Sequence, residues 1–166
     1  MPLPAQVDPR KLALRSAELV GDIPVNSMSR LASAVVRIND PAKATIVFKI
    51  DESGFTLISG SVSVSAFAQC QRCLHEVDIC IESEFILRIV SQENEEDWKV
   101  KFIDPVVIDK GILDLYQMLE DELILALPIV NYHEIGQCAN NLDKFTYNSS
   151  SITQTGPFDI LKQLKN

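Results

Sequence analysis

The residues of this chain with the clearest chemical potential are its cysteines and histidines. Cys70-Gln-Arg-Cys73 is a C-x2-C pair lying between two runs that alternate apolar and polar residues. Two thiolates at that spacing can share one zinc ion, because a tight turn points both sulfurs to the same side. A structural zinc site takes four ligands. His133 and Cys138, in the segment just past Pro128, are the candidates to complete a Cys3His set spanning a hairpin and a loop. Two other readings stay open. The pair can be inert reduced thiols at a turn. It can also be a redox dithiol, although that chemistry normally comes with a thioredoxin-like βαβ context, which this sequence lacks. Cys80, between Ile79 and Ile81, reads as a packing residue within a strand.

No other constellation with catalytic spacing occurs. There is no G-x-S-x-G, H-E-x-x-H, phosphate-binding loop or dinucleotide glycine motif. Glu82 and Glu84 share one strand face, as solvated acids commonly do. The acid run Glu120-Asp121-Glu122 is either a solvated helix edge or a face for a partner, with Arg72 at the hairpin tip as a second candidate contact. Arg10, Lys11 and Arg15, the pair Lys99 and Lys101, and the pair Lys162 and Lys165 are the available RNA contacts, and given the acidic total they read sooner as ordinary surface charge. The chain carries 15 Lys+Arg against 23 Asp+Glu, a formal charge of −8. A field of that sign repels a phosphate backbone on average, so non-specific nucleic-acid binding is not expected, DNA included.

These residues must be positioned by strands and helices. The run Val62, Val64, Ala66, Ala68 and Cys70 falls on one strand face, with Ser61, Ser63, Ser65 and Phe67 on the other. After the cysteines, Val77, Ile79 and Ile81 resume the alternation. The two runs predict a long antiparallel hairpin bending at Cys70–His75. Before it, "SAVVRI" and "ATIVFKI" read as strands, the second turning at Asp51 to Gly54. After it, "WKVKFI" reads as a strand, and "PVVID" either extends it or leads into the next helix. A helix is expected after Pro9, carrying Leu12, Leu14, Leu19 and Val20, with Asp22 to Ser29 as a linker. "PFDILKQLK" reads as a short C-terminal helix, and residues 140–156, rich in Asn, Ser and Thr, as a flexible loop.

The most informative helix runs from Ile112 to Leu127. Ile112, Leu115, Tyr116, Leu119, Leu123 and Ala126 follow helical spacing and form one apolar stripe. Asp109 or Gly111 marks its start, Asp114 complements its dipole, and Pro128 stops it. From Leu123 to Leu127 it is apolar all round, which predicts an end enclosed by the rest of the protein. The expected fold class is therefore α+β: an antiparallel sheet of about four to six strands packed with helices near both termini, in one domain over residues 1–166. Hydrophobic residues make up 46% of the chain, ordinary for a globular protein. No signal peptide is visible, and the longest apolar run, Leu123 to Leu127, falls far short of the ~20 residues of a membrane span. The expected location is the cytoplasm, with reduced cysteines.

The segment "DLYQMLEDELILALPIVNYHEIGQC", from Asp114 to Cys138, resembles the signature of the YceD family, the bacterial large ribosomal RNA subunit accumulation proteins. "CQRCL" resembles that family's cysteine turn, and "VDPRKLA" and "PFDILKQLK" resemble its terminal motifs. The resemblance implies a non-catalytic ribosome-biogenesis factor needed for accumulation or processing of large-subunit ribosomal RNA. It implies as partners an RNA precursor, a ribosomal protein or a processing protein. It also implies a metal site at Cys70, Cys73 and the His133–Cys138 loop, although some relatives carry more cysteines there than this chain's Cys138. The acidic charge favours a basic protein over naked RNA as the direct contact. Two alternatives are a small-molecule-binding or RNA-modifying enzyme domain, which needs a polar pocket with convergent titratable groups, and a protein-interaction adaptor.

Overall fold

The computed structural model is described for residues 1–91, 103–108 and 110–138. Its elements are β1 (Gln6–Val7), α1 (Pro9–Ala13), β2 (Glu18–Ile23), α2 (Ser29–Ala34), β3 (Arg37–Ile38), β4 (Ala42–Ile50), β5 (Thr56–Gln69), β6 (Glu76–Ser91), β7 (Asp104–Ile108), β8 (Leu113–Asp114) and α3 (Leu115–Leu125). The fold is α+β. The main sheet has six strands, ordered β2-β4-β5-β6-β7 with β3 added beside β5.

The long hairpin forms as the alternation predicts. β5 and β6 pair antiparallel from Leu57 opposite Arg88 to Gln69 opposite Glu76, leaving Cys70 to His75 as the tip. Val62, Val64, Ala66, Ala68 and Cys70 are all buried, on the face that meets the helices. α3 lays Leu115, Leu119 and Leu123, each fully buried, into the core with Ile46, Phe48 and Ile58. Cys80 is on the other face. It is exposed, with its thiol 3.4 Å from the Glu82 carboxylate, and does not pack in the core.

Several local expectations are corrected. The helix after Pro9 is short and closes at Ala13, with Asp8 capping it through the Lys11 amide. Leu19 and Val20 lie in β2, which pairs antiparallel with β4, so the sheet claims them. Most of "SAVVRI" is not a strand: Ser33 and Ala34 end α2, and only Arg37 and Ile38 pair with β5. The expected linker likewise contains the end of β2 and a 3-10 turn at Val25–Ser27. The sheet is mixed, because β7 runs parallel to β6, Leu87 opposite Asp104. A tight hairpin cannot make that pairing; a parallel neighbour needs a crossover connection. The expected strand "WKVKFI", the 140–156 loop and the C-terminal helix lie outside the described residues, apart from Ile103.

α3 starts later than its apolar stripe suggests. Lys110 and Gly111 have φ of 52° and 78°, which turn the chain. Leu113 and Asp114 then pair with β1, and Asp114 becomes the N-cap, accepting from the Gln117 amide at 3.0 Å. The helix ends at Leu125 with Ala126 as its cap, two residues before the proline that could not continue it. Its end is enclosed on one side only: Leu123 is fully buried and Ile124, Ala126 and Leu127 pack against the core, whereas Leu125 is 80% exposed.

Candidate metal centre

Two elements far apart in sequence build the centre. The hairpin tip supplies Cys70 and Cys73, both buried. Its turn is closed by the Cys70 amide donating to the His75 carbonyl and the Leu74 amide donating to the Cys70 carbonyl. The chain leaving α3 supplies His133 and Cys138. It is laid along the tip by the Gln71 amide, which donates to the Asn131 carbonyl at 2.9 Å, and by the Gln71 side chain, which donates to the Ile129 carbonyl. Arg72 clamps the same stretch: its guanidinium donates to the His133 carbonyl and lies 5.1 Å from the centre of the Tyr132 ring.

The outcome is a compact cluster of three sulfurs and one ring nitrogen, all within 4.8 Å of one another. Cys73 Sγ is 3.4 Å from His133 Nδ1, Cys138 Sγ is 3.9 Å from the same nitrogen, and Cys70 Sγ is 3.9 Å from Cys138 Sγ. A tetrahedral zinc with bonds near 2.3 Å to sulfur separates its ligands by about 3.8 Å. The donor set and its spacing therefore fit zinc. The histidine is oriented for it as well. Nε2 lies 2.9 Å from the Glu76 carbonyl, which can only accept, so Nε2 carries the proton and Nδ1 faces the sulfurs. No cysteine is in a disulfide.

The electrostatics favour a thiolate at Cys70. Burial raises the Cys70 thiol, but hydrogen bonds from the backbone of Cys73, His133 and Arg72, and from the His133 ring, outweigh it and bring Cys70 down to about 5. His133 is raised in turn by its hydrogen bond to Cys70, against burial, which lowers it. Cys138 is raised by burial and by its hydrogen bonds to Cys73 and Cys70. Cys70 and His133 thus stabilise each other's charged forms, and a divalent cation bound among these groups would displace their protons.

The helix acids are placed differently from one another. Glu120 is buried and does not face outward. Its Oε1 accepts from the backbone amides of Arg30 and Leu31 at 2.8 and 3.0 Å, and its Oε2 receives the Arg30 guanidinium at 2.9 Å. It caps α2. Asp121 pairs with another nitrogen of the same arginine. Glu122 accepts from the Ser83 hydroxyl at 3.1 Å. The sequence reading missed the cap, although one signal was there: Glu120 lies four residues after Tyr116 and three before Leu123, on the margin of the apolar stripe.

Asp114, Asp121 and Glu122 also line a groove of about 440 Å³ between α3 and β7. Asp114 is used as a helix cap, and the other two acids are engaged as above, so the three are not a free convergent set. Glu122 is nevertheless raised, chiefly by burial and further by Asp104 and Asp121. A carboxyl raised on folding contributes stability that is present below its unfolded value, near 4.5, and is lost as pH rises through the folded value. Glu122→Gln keeps an acceptor for Ser83 and removes that charge. It should melt about 1–2 °C above wild type at pH 7 and level with it near pH 4, the effect held small by solvent screening. Equal melting temperatures at both pH values would refute this.

A mixed-sheet α+β protein with a Cys3His cluster between its hairpin tip and the loop after α3 is the class that fold and site define. Comparison with known proteins adds the family. The profile described as large ribosomal RNA subunit accumulation protein YceD matches residues 58–165. A protein of Haemophilus influenzae bearing the same name is 31% identical over 167 residues, covering 98% of this chain and 96% of that protein. The chain belongs to the YceD family. No solved structure matches it. No helix among the described residues is long and apolar enough to cross a membrane.

Proposed function

We propose that this protein is a non-catalytic, cytoplasmic factor for the accumulation of large-subunit ribosomal RNA, acting by binding, with its hairpin tip and the following loop held together by a structural zinc. Membership of the YceD family, whose name states that role, is the observation that carries the first half. The Cys70, Cys73, His133 and Cys138 cluster carries the second. Cys70, Cys73, His133 and Cys138 would hold the zinc, which would supply cross-linking and not chemistry, because four protein donors would leave no open position for substrate. The engaged acids of the α3 groove support binding over catalysis. The charge of −8 supports a basic protein as the direct partner, because an anionic surface steers toward cationic ones and away from phosphate. The same reading takes residues 1–166 as one folded unit.

Depletion of the protein from cells should lower large-subunit RNA relative to small-subunit RNA and change the profile of its precursors. The tagged protein should co-sediment with a large-subunit precursor particle. Unchanged RNA ratios together with no co-sedimentation would overturn the reading.

A further inference from the structure

We propose that the zinc-site tip is a docking surface for a protein partner with an apolar cleft ringed by lysine and arginine. The first observation is a strained residue. Leu74 has φ of 63°, in the left-handed region that leucine rarely adopts, and is 67% exposed. That backbone conformation turns the chain so that the His75 carbonyl can accept from the Cys70 amide at 2.8 Å. Glycine would adopt it freely, and two thirds of the leucine surface faces solvent. Strain kept at an exposed apolar residue points to a use outside the fold.

The second observation is independent. The loop facing the tip carries Ile129 at 93% exposure, Ile135 at 96%, Val130 at 51% and Tyr132 at 50%. These side chains belong to a stretch fixed by the bonds of Gln71 and Arg72 and by the Cys/His cluster. Four exposed apolar side chains within seven residues of a held loop mark an interaction site more than a solvated loop does. Tyrosine and isoleucine on a rigid support lose little side-chain freedom on binding.

Charge selects the partner. Arg72 is spent on the His133 carbonyl and the Tyr132 ring, and Arg37 is paired with Glu76. Among the described residues, the arginines of the tip are thus engaged within the protein, and no lysine lies beside them to hold a phosphate backbone. Glu134 is exposed on the same loop, and the whole chain carries −8. That field also opposes a second copy of this chain and attracts a basic protein surface.

The inference rests on the proposed function for its zinc and for its probe. Immobilised full-length protein, loaded with zinc, is offered two fractions of purified large ribosomal subunits at physiological salt: the proteins stripped off by concentrated salt, and the stripped RNA. Wild type should retain a member of the protein fraction. Ile129→Ser and Ile135→Ser should each weaken retention about 10-fold. Leu74→Gly should weaken it about 3-fold while its melting temperature stays equal or rises, since strain is relieved. Full retention by all three variants, preference for the RNA, or wild-type dimers that the variants abolish would each overturn the inference. If neither fraction is retained although depletion lowers large-subunit RNA, the docking surface falls and the ribosomal role stands. Retention of a protein with no effect of depletion overturns the role alone.

Discussion

Glu120→Ala should lower the melting temperature by about 5–12 °C, the largest loss expected of any single substitution on α3 outside its leucines. One carboxylate serves three donors: the amides of Arg30 and Leu31 and the Arg30 guanidinium. Alanine leaves the Leu31 amide buried without a partner and removes the anion that complements the start of α2. An orphaned buried donor costs about 1–3 kcal/mol, and breaking a buried charge pair from one side about 3–5 kcal/mol. The two estimates overlap here, and Arg30 is half-exposed, so about 2–4 kcal/mol is the net expectation. Glu120→Gln keeps one acceptor and should lose roughly half as much. In a double-mutant cycle, Arg30→Ala with Glu120→Ala should cost less than the sum of the two, because both remove one network. A loss under about 2 °C for Glu120→Ala would show that α2 is held by Leu31 packing alone.

The second large effect follows removal of the metal. Purified protein should carry about one equivalent of zinc, and Cys70→Ser or Cys138→Ser should release it. The hairpin has its own ladder from Leu57 to Gln69, so the sheet should survive. What should fail is the contact between tip and loop, where Cys73 meets a histidine 60 residues away and Cys70 a cysteine 68 residues away. Hydrogen exchange reads this directly. The Gln71 amide, bonded to the Asn131 carbonyl, should exchange about 100-fold faster in chelator, equivalent to about 2.7 kcal/mol of lost ligand stabilisation, while core amides such as Phe48 stay protected. Metal-free protein whose Gln71 protection and melting temperature do not respond to chelator would exclude a structural zinc.

The sequence by itself determined the features whose signals are local. Alternation from Val62 to Cys70 and from Val77 to Ile81 determined the hairpin and its bend, because a strand's side chains change face at every residue. Pro128 determined the limit of α3, because a residue without an amide proton cannot extend the ladder. The C-x2-C at the bend, with a histidine and a cysteine after the proline, already named the four ligand candidates. Tertiary structure decided the rest, because it depends on which distant residues meet. Ser33 and Ala34 have β-branched neighbours, yet they end a helix because Glu120, 89 residues beyond Leu31, caps its start. An acid that looked outward in a one-dimensional pattern is an internal cap for the same reason. β7 lies parallel to β6, a pairing that no short-range pattern encodes. Only the register of the hairpin and the direction of α3 bring His133 and Cys138 to the cysteine turn, with Glu76 orienting the ring and Arg72 clamping the loop.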